Sequence, residues 1–532
     1  MRAYVCRRQL AMQQFLAGLL LSLFMWAIRV QCWQSRWTGS IQRLSMSTKR
    51  GDKSGLSSRS RNDRRTNSGA GTTRSPQQRS KPIRDEKQDE ITPIVHIEHP
   101  YVKNYVTLLP GKARLFQDGN PLVFGGAVKE VFGQPSSGAE VIVKDHRGND
   151  LGRGFYNPDS QYRVRLMSRS YEDVFQSPLT DIITKRINDA IIHRKTISLP
   201  SAVTSIYRLV NGEGDRLGGL MIDVIGSIVV IQSSAVWVEA NKSDIVKALT
   251  DILIQREKYN IRKIIWRRVD TRLKQDGYVG EVGDEVVYTK SADDLTIKKE
   301  VVVENGIKYA VFPDDGQKTG FYCDQRGSYS LTSSTYFITD YSLLADNRQT
   351  LKSLSLNKTV LDMYCYTGGF ALNAALGGAT AVTTVDSSQL AIDTCLENAA
   401  LNQVSHLIKG YKIDAIGFMQ QMIQEGKLYD IVIADPPKLA PTRTSLANAK
   451  SKYIKINTLA MSLVKPGGLL LTCSCSAAVT QSGEFTDIIS EAARIARKDI
   501  KVLATTSAAL DHPVHLHYQE GKYLTAAFLV VA

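Results

Sequence analysis

The chain has 532 residues, 43% of them apolar and 22% charged, the proportions of an ordinary soluble protein with room for about three domains. Its net charge is +15, but residues 1–84 hold 17 Lys+Arg against only Asp52 and Asp63, which leaves 50 charges of each sign in residues 85–532. That balance excludes a globally basic nucleic-acid-binding body, so any RNA-binding surface must be a local patch.

Residues 1–95 read as a targeting presequence and linker. Arg7 and Arg8 precede a fourteen-residue apolar run, Phe15 to Ile28. As a helix it would span about 21 Å against a hydrocarbon core of about 30 Å, which favours a signal-peptide core over a transmembrane anchor. Val30-Gln31-Cys32 offers a small-residue cleavage site before Trp33, and Trp33 to Lys81 is rich in Ser, Thr and Arg and almost free of acids, as in transit peptides. This two-part arrangement resembles the presequences of algae with complex plastids. It predicts a plastid address, with no stable membrane insertion of the mature protein. The alternative is a disordered RNA-binding tail behind a secretory or membrane signal.

Residues 96–172 are dense in short β-rich runs (Leu122–Val131, Ala139–Lys144, Tyr162–Leu166) separated by turn signals such as Asp118-Gly119-Asn120, and predict a small β-barrel. Residues 173–304 predict a compact α+β domain. Its helices are expected over Leu179–Arg194 and Val236–Gln255, with a hairpin across Ile225-Gly226. Residues 305–532 alternate strand and helix, the pattern of a parallel α/β sheet. Strands are expected at Thr359–Met363, Ala381–Asp386, His406–Lys409, Tyr429–Ala434, Gly468–Cys473 and Ile500–Thr505. A last strand, Tyr523–Val531, follows after only a loop and so should run antiparallel.

Three motifs in this region carry chemistry. Val360 to Phe370 ends a buried strand in Asp362 and turns through Thr367-Gly368-Gly369 into a helix. Glycines there let a ligand approach the backbone, and the helix start offers unpaired amides. Asp386 ends the next strand, where an acid binds ribose hydroxyls. The dinucleotide pattern G-x-G-x-x-G is absent, so with Asp414 following, S-adenosylmethionine fits better than a nicotinamide cofactor. In the second motif, Pro436 and Pro437 stiffen a strand exit and aim Asp435 into the cleft, a way to hold a planar nitrogenous base. In the third, Cys473 and Cys475 straddle a strand end. Cys473 reads as a small buried hydrophobe, whereas Cys475, in Ser-Cys-Ser near a helix expected after Thr480, reads as a nucleophile. Carbon 5 of a pyrimidine needs such a thiolate, because it becomes nucleophilic only after addition at carbon 6. The seven cysteines show no C-x-x-C or His/Cys cluster, so no metal site is expected.

From about residue 102 onward the chain resembles the RlmI family of large-subunit ribosomal RNA cytosine-5 methyltransferases. The stretches that carry the resemblance are Asp150–Arg165, Arg208–Asp223, Gly316–Arg326, Leu361–Phe370, Asp386–Asn402, Asp435–Lys438, Cys473–Ser476 and Asp511-His512-Pro513. The resemblance implies a PUA domain, a middle α+β domain and a class I methyltransferase domain, with ribosomal RNA as partner and a homodimer left open. It implies Cys475 as nucleophile with Asp435 at the base. Cofactor contacts are implied at Gln317, Lys318, Thr319, Gly320, Arg326, Asp362, Tyr364, Tyr366, Thr367, Gly368, Asp386, Ser387, Asp414 and Asp435, and base contacts at Pro436, Pro437 and Lys438. The chain departs from the family between Arg326 and Asp362, where it is longer, and at Phe116–Leu122, where the family's basic and aromatic surface is missing. Arg262, Lys263, Arg267, Arg268, Arg272 and Lys274 form a cluster that either contacts phosphates or is a solvated face. Two rival functions stay open: guanine N7 methylation, which needs no thiol, and an inactive RNA-binding assembly factor.

Overall fold

The structure is a computed structural model and describes residues 99–314, 319–326, 346–440 and 445–532. The presequence expected over residues 1–95, Gln317, Lys318 and residues 327–345 of the longer connection lie outside the described residues.

The first sheet has six strands: β1 (Tyr105–Leu108), β2 (Leu122–Phe124), β3 (Val128–Phe132), β4 (Glu140–Lys144), β5 (Asp150–Tyr156) and β6 (Tyr162–Arg169), in the order β2-β6-β5-β4-β1-β3. The run Leu122–Val131, expected as one strand, is broken by a 3-10 turn at Gly125–Ala127. Two successive glycines supply no side chains to pack, and a bend results.

The middle sheet has five strands: β7 (Ile206–Asn211), β8 (Leu220–Ile225), β9 (Ile228–Ser233), β10 (Lys263–Arg268) and β11 (Asp284–Thr289), in the order β11-β10-β9-β8-β7. The crossover from β9 to its parallel partner β10 was expected as one helix and is three pieces: Val236–Ala240, Lys242–Thr250 and a π-helical turn, Asp251–Arg256. Asn241 makes the first break: it leaves helical geometry while its amide donates to the Trp237 carbonyl (2.7 Å), a local bond that competes with the helix.

A hairpin, β12 (Glu300–Glu304) and β13 (Ile307–Val311), follows. The boundary expected after residue 304 falls in its turn. Val302, Ile307, Tyr309 and Val311 sit in one continuous core with Ile206, Ile225 and Ile228 of the middle sheet and with Val360, Phe370 and Ala374 beyond it. The hairpin thus bonds the two units through apolar burial.

The last sheet has seven strands: β14 (Thr359–Met363), β15 (Ala381–Asp386), β16 (Ile408–Lys412), β17 (Tyr429–Ala434), β18 (Val464–Ser474), β19 (Ile500–Thr506) and β20 (Thr525–Val531), in the order β16-β15-β14-β17-β18-β20-β19. β14 to β18 are parallel and β20 runs antiparallel to both its neighbours, as the short connection requires. Strand order reverses between β14 and β17, so a crevice opens at their carboxyl ends. Asp362, Asp386 and Asp435 end β14, β15 and β17, and Cys475 follows β18 directly.

Candidate active site

The turn after β14 needs three left-handed residues in five: Tyr364 (φ 64°), Tyr366 (φ 48°) and Gly368 (φ 84°). Left-handed tyrosines are uncommon and persist only where the surroundings over-determine them. Here the Tyr366 N–H donates to Asp386 Oδ2 (3.0 Å), its hydroxyl donates to the Gly320 carbonyl (3.3 Å), and the Cys365 N–H donates to the Val385 carbonyl (3.1 Å). A Cβ at position 368 would lie 2.6 Å from Cys395 Sγ, so glycine is required on both conformational and steric grounds. Thr367 is buried, and its carbonyl accepts from Asn398 (2.9 Å).

Asp362 Oδ2 accepts the Ala371 N–H of the helix Gly369–Leu376 (3.0 Å), while Oδ1 is buried with no partner among the described residues. Burial pushes this carboxyl well up from the usual range, and the Asp435 and Asp386 carboxylates push the same way. Asp386 is held by the Ser388 N–H (2.9 Å) beside the exposed Ser387. Asp414 is exposed and caps the helix Ala415–Gln424 through the Gly417 N–H (2.8 Å). An orphaned buried acid, a glycine turn opening a helix, and acids ending three successive strands fit S-adenosylmethionine. Asp362 would meet a polar or cationic group of it, and Asp386 its ribose hydroxyls.

Across the crevice, Asp435 Oδ2 accepts from Gln325 Nε2 (2.9 Å). Asn347 Nδ2 donates to Gln325 Oε1 (2.6 Å), and Thr506 Oγ1 donates to Asn347 Oδ1 (2.5 Å). Gln325, Asn347 and Thr506 are all buried. Sequence reading missed this relay, because no motif links its members. Pro436 is buried beneath the loop, and Pro437 and Lys438 are exposed.

Cys475 is half-buried, and its sulfur lies 3.7 Å from the Pro436 carbonyl. The two serines beside it are fixed by one hydroxyl: Ser474 Oγ and Ser476 Oγ both lie 3.1 Å from the hydroxyl of the buried Tyr453. The helix expected after Thr480 starts earlier, at Ala477: the Ser476 carbonyl accepts the Val479 and Thr480 N–H groups (3.0 Å each), and no breaker intervenes before the Gly483 stop. Cys473 is fully buried; burial first, then Asp435, pushes its thiol well up. Of the two cysteines only Cys475 is open to a substrate. Tyr322 faces this group. Burial, with Asp324, Cys475 and Asp435 adding to it, pushes its hydroxyl up to about 12, so it stays protonated.

The entry segment divides. The Gly320 carbonyl meets Tyr366, as above. Thr319 instead donates to Asp223 (2.7 Å) in the middle sheet. Arg326 was expected at the cofactor but is buried, with its two terminal nitrogens bound to the Ile206 carbonyl and to Asp511. Burial opposes a charge on Asp511, but Arg326 and His512 overcome this and hold its carboxyl below the usual range. Asp511 also accepts the Arg208 N–H (2.9 Å), so the Asp511-His512-Pro513 motif clamps the middle sheet to the catalytic one. The basic cluster of the middle domain is largely consumed internally: Arg262 pairs with Asp294 (2.7 Å), Lys263 with Asp314 (3.1 Å), Arg267 with Asp284 (2.5 Å) and Arg268 with Glu239 (3.0 Å). Among the described residues no group of three His, Cys, Asp or Glu side chains could hold a metal ion.

Fold and crevice together define an S-adenosylmethionine-dependent methyltransferase with a doubly wound α/β sheet. Residues 290–502 match the S-adenosylmethionine-dependent methyltransferase family and residues 106–169 match a PUA-like domain. The chain is 33% identical over 422 residues to ribosomal RNA large subunit methyltransferase I of Shewanella frigidimarina (79% of this chain, 97% of the relative). It is 31% identical to the protein of that name from Klebsiella pneumoniae strain 342 (79% and 96%). The chain belongs to the ribosomal RNA large subunit methyltransferase I family. The same fold occurs in SMU.776, solved complexed with SAH (21% identity, TM-score 0.64, 81% of this chain and 100% of that one). It occurs again in a SAM-dependent methyltransferase from Streptococcus mutans (20% identity, TM-score 0.63, 80% and 100%).

Proposed function

We propose that this enzyme forms 5-methylcytosine in large-subunit ribosomal RNA through a covalent adduct with Cys475. The observation that carries the reading is the half-open Cys475 sulfur, 3.7 Å from the carbonyl of Pro436 in the Asp435 loop, at the end of the strand next to the cofactor crevice. The named relatives supply the class of RNA.

Bound S-adenosylmethionine supplies an electrophilic methyl group. Cys475 Sγ, as thiolate, bonds to carbon 6 of the cytosine, and the carbon 5–carbon 6 π pair shifts so that carbon 5 becomes nucleophilic. Asp435, fixed by Gln325, accepts hydrogen bonds from the exocyclic amine or the protonated ring nitrogen and stabilises the adduct. Once carbon 5 carries its methyl, loss of the carbon 5 proton to a base restores the double bond and expels Cys475 as thiolate. The Tyr453 hydroxyl holds both neighbours of Cys475, so the thiol meets the base without reorganisation. Guanine N7 is already nucleophilic and gives this thiol no task.

The test is transfer of labelled methyl groups to an unmodified large-subunit ribosomal RNA transcript, with the product nucleoside identified. Wild type and Cys473→Ala should yield methylated cytosine, and Cys475→Ala should fall to background. Full activity in Cys475→Ala would remove the covalent step. Label on guanine would select N7 chemistry, and tight binding without turnover an assembly factor.

A further inference from the structure

The body of the chain is electrically balanced, yet residues 436–483, which run from the Asp435 loop past Cys475, contain no Asp or Glu and six cations: Lys438, Arg443, Lys450, Lys452, Lys455 and Lys465. Two of these are spent locally, Lys465 on Asp430 (2.8 Å) and Lys450 on Glu484 (3.2 Å). Lys452 and Lys455 are exposed on the helix Leu446–Ser462 and make no ion pair among the described residues. Lys438 is exposed in the loop that leads into that helix.

The helix is two-faced. Its inner face buries Ala449, Tyr453, Ile456, Asn457 and Ala460, and Tyr453 is the residue that grips Ser474 and Ser476 on either side of Cys475. Lys452 and Lys455, three residues apart, share the outer face with their Cβ atoms about 5–6 Å apart. A crossover helix that follows β17 begins at the carboxyl edge of the sheet, and Lys452 adjoins Tyr453, whose hydroxyl reaches the serines flanking Cys475, so the first turns of this helix lie near the crevice. The arginines of β10, the other basic run, are neutralised by carboxylates and offer no comparable field.

We infer that the outer face of the helix Leu446–Ser462, continued by Lys438, is a track for the RNA sugar-phosphate backbone that leads the target nucleotide to Asp435 and Cys475. The inference rests on the RNA substrate proposed above. Phosphate contacts of this kind fix register without reading sequence, and they make affinity fall with salt.

The experiment measures binding of an unmodified large-subunit ribosomal RNA transcript across a salt series, for wild type, the double variant Lys452→Glu/Lys455→Glu and the control Lys501→Glu, which lies on β19 at the far edge of the sheet. The double variant should bind about tenfold more weakly, and its log–log salt slope should shrink by about 1.4, or about 0.7 per lost single-strand phosphate contact. Its S-adenosylmethionine affinity should be unchanged and Lys501→Glu should match wild type, which shows that the fold is intact. Equal affinity and slope in wild type and double variant, with wild type active on the RNA, would overturn the track and leave the RNA substrate standing. A wild type that neither binds nor methylates the RNA would overturn the substrate itself, and the track with it.

Discussion

At the scale of single residues, the site depends on groups that touch no substrate. Asn347 donates to the carbonyl end of Gln325 and so favours the orientation in which the amide's N–H end faces Asp435. Gln325→Leu, of similar volume, takes one donor from the half-buried Asp435 and one acceptor from the buried Asn347 amide, and an unmet buried group costs about 1–3 kcal/mol. We expect kcat to drop about 10- to 100-fold with little change in the Kd for S-adenosylmethionine, measured by single-turnover transfer and calorimetry. A parallel loss of cofactor affinity would assign Gln325 to the cofactor instead. Asp362, Asp386, Asp435 and Cys475 could be picked out in the sequence because each ends an apolar strand run, and strand ends are where a parallel sheet presents chemistry. Gln325, Asn347 and Thr506 could not: they are separated by 22 and 159 residues, and an uncharged polar residue in a turn, at a helix start or at a strand end carries no periodic signal. Arg326 was misplaced for a related reason. A charge beside a cofactor segment looks like a ligand until its burial against Asp511 is seen.

At the scale of elements, the helix Leu446–Ser462 and the end of β18 are joined by a hydroxyl, not by apolar packing alone. Tyr453→Phe removes one partner from each of Ser474 and Ser476, leaving Ser476 with the Ala440 N–H, and should cost about 1–3 kcal/mol of stability. It should also slow the chemical step more than it weakens RNA binding, since the serines set the direction of Cys475. Unfolding in denaturant, together with rates of adduct formation on the same RNA, would check both effects; an unchanged adduct rate would reduce Tyr453 to a packing residue. Strand positions β14, β15 and β17 followed directly from their apolar runs, whereas the crossover after β9 did not. Periodicity carries through Asn241, but the side chain's bond to the Trp237 carbonyl stops the helix.

At the scale of the molecule, the middle and catalytic sheets are locked by buried charge as well as by shared core. Asp511 binds Arg326 and the Arg208 N–H, while its own carbonyl accepts from Arg194 (2.7 Å), which is itself paired with Asp215. Removing one member leaves the others charged and dry, at a cost of about 3–5 kcal/mol. Asp511→Ala should therefore lower the denaturation midpoint sharply, whereas Thr196→Ala, partly exposed at a helix end, should not. The sign of the pH effect follows from the depressed Asp511 carboxyl. Its stabilisation is complete above the ordinary carboxylate range and is lost only as pH falls through the lower folded value. The clamp should thus hold through mild acid. The midpoint of Asp511→Ala should lie below wild type by a constant offset between neutral and mildly acidic pH, and a midpoint equal to wild type would show the pair to be idle.

The relay behind Asp435 also has a direction. Thr506 donates a hydrogen bond to Asn347, Asn347 to Gln325, and Gln325 to the carboxylate, so every donor points the same way. The row is a chain of aligned dipoles with its positive end on Asp435, set by the fold itself. The polarity of the wall behind Asp435 is thus set from a distance, by a threonine on the edge strand of the sheet.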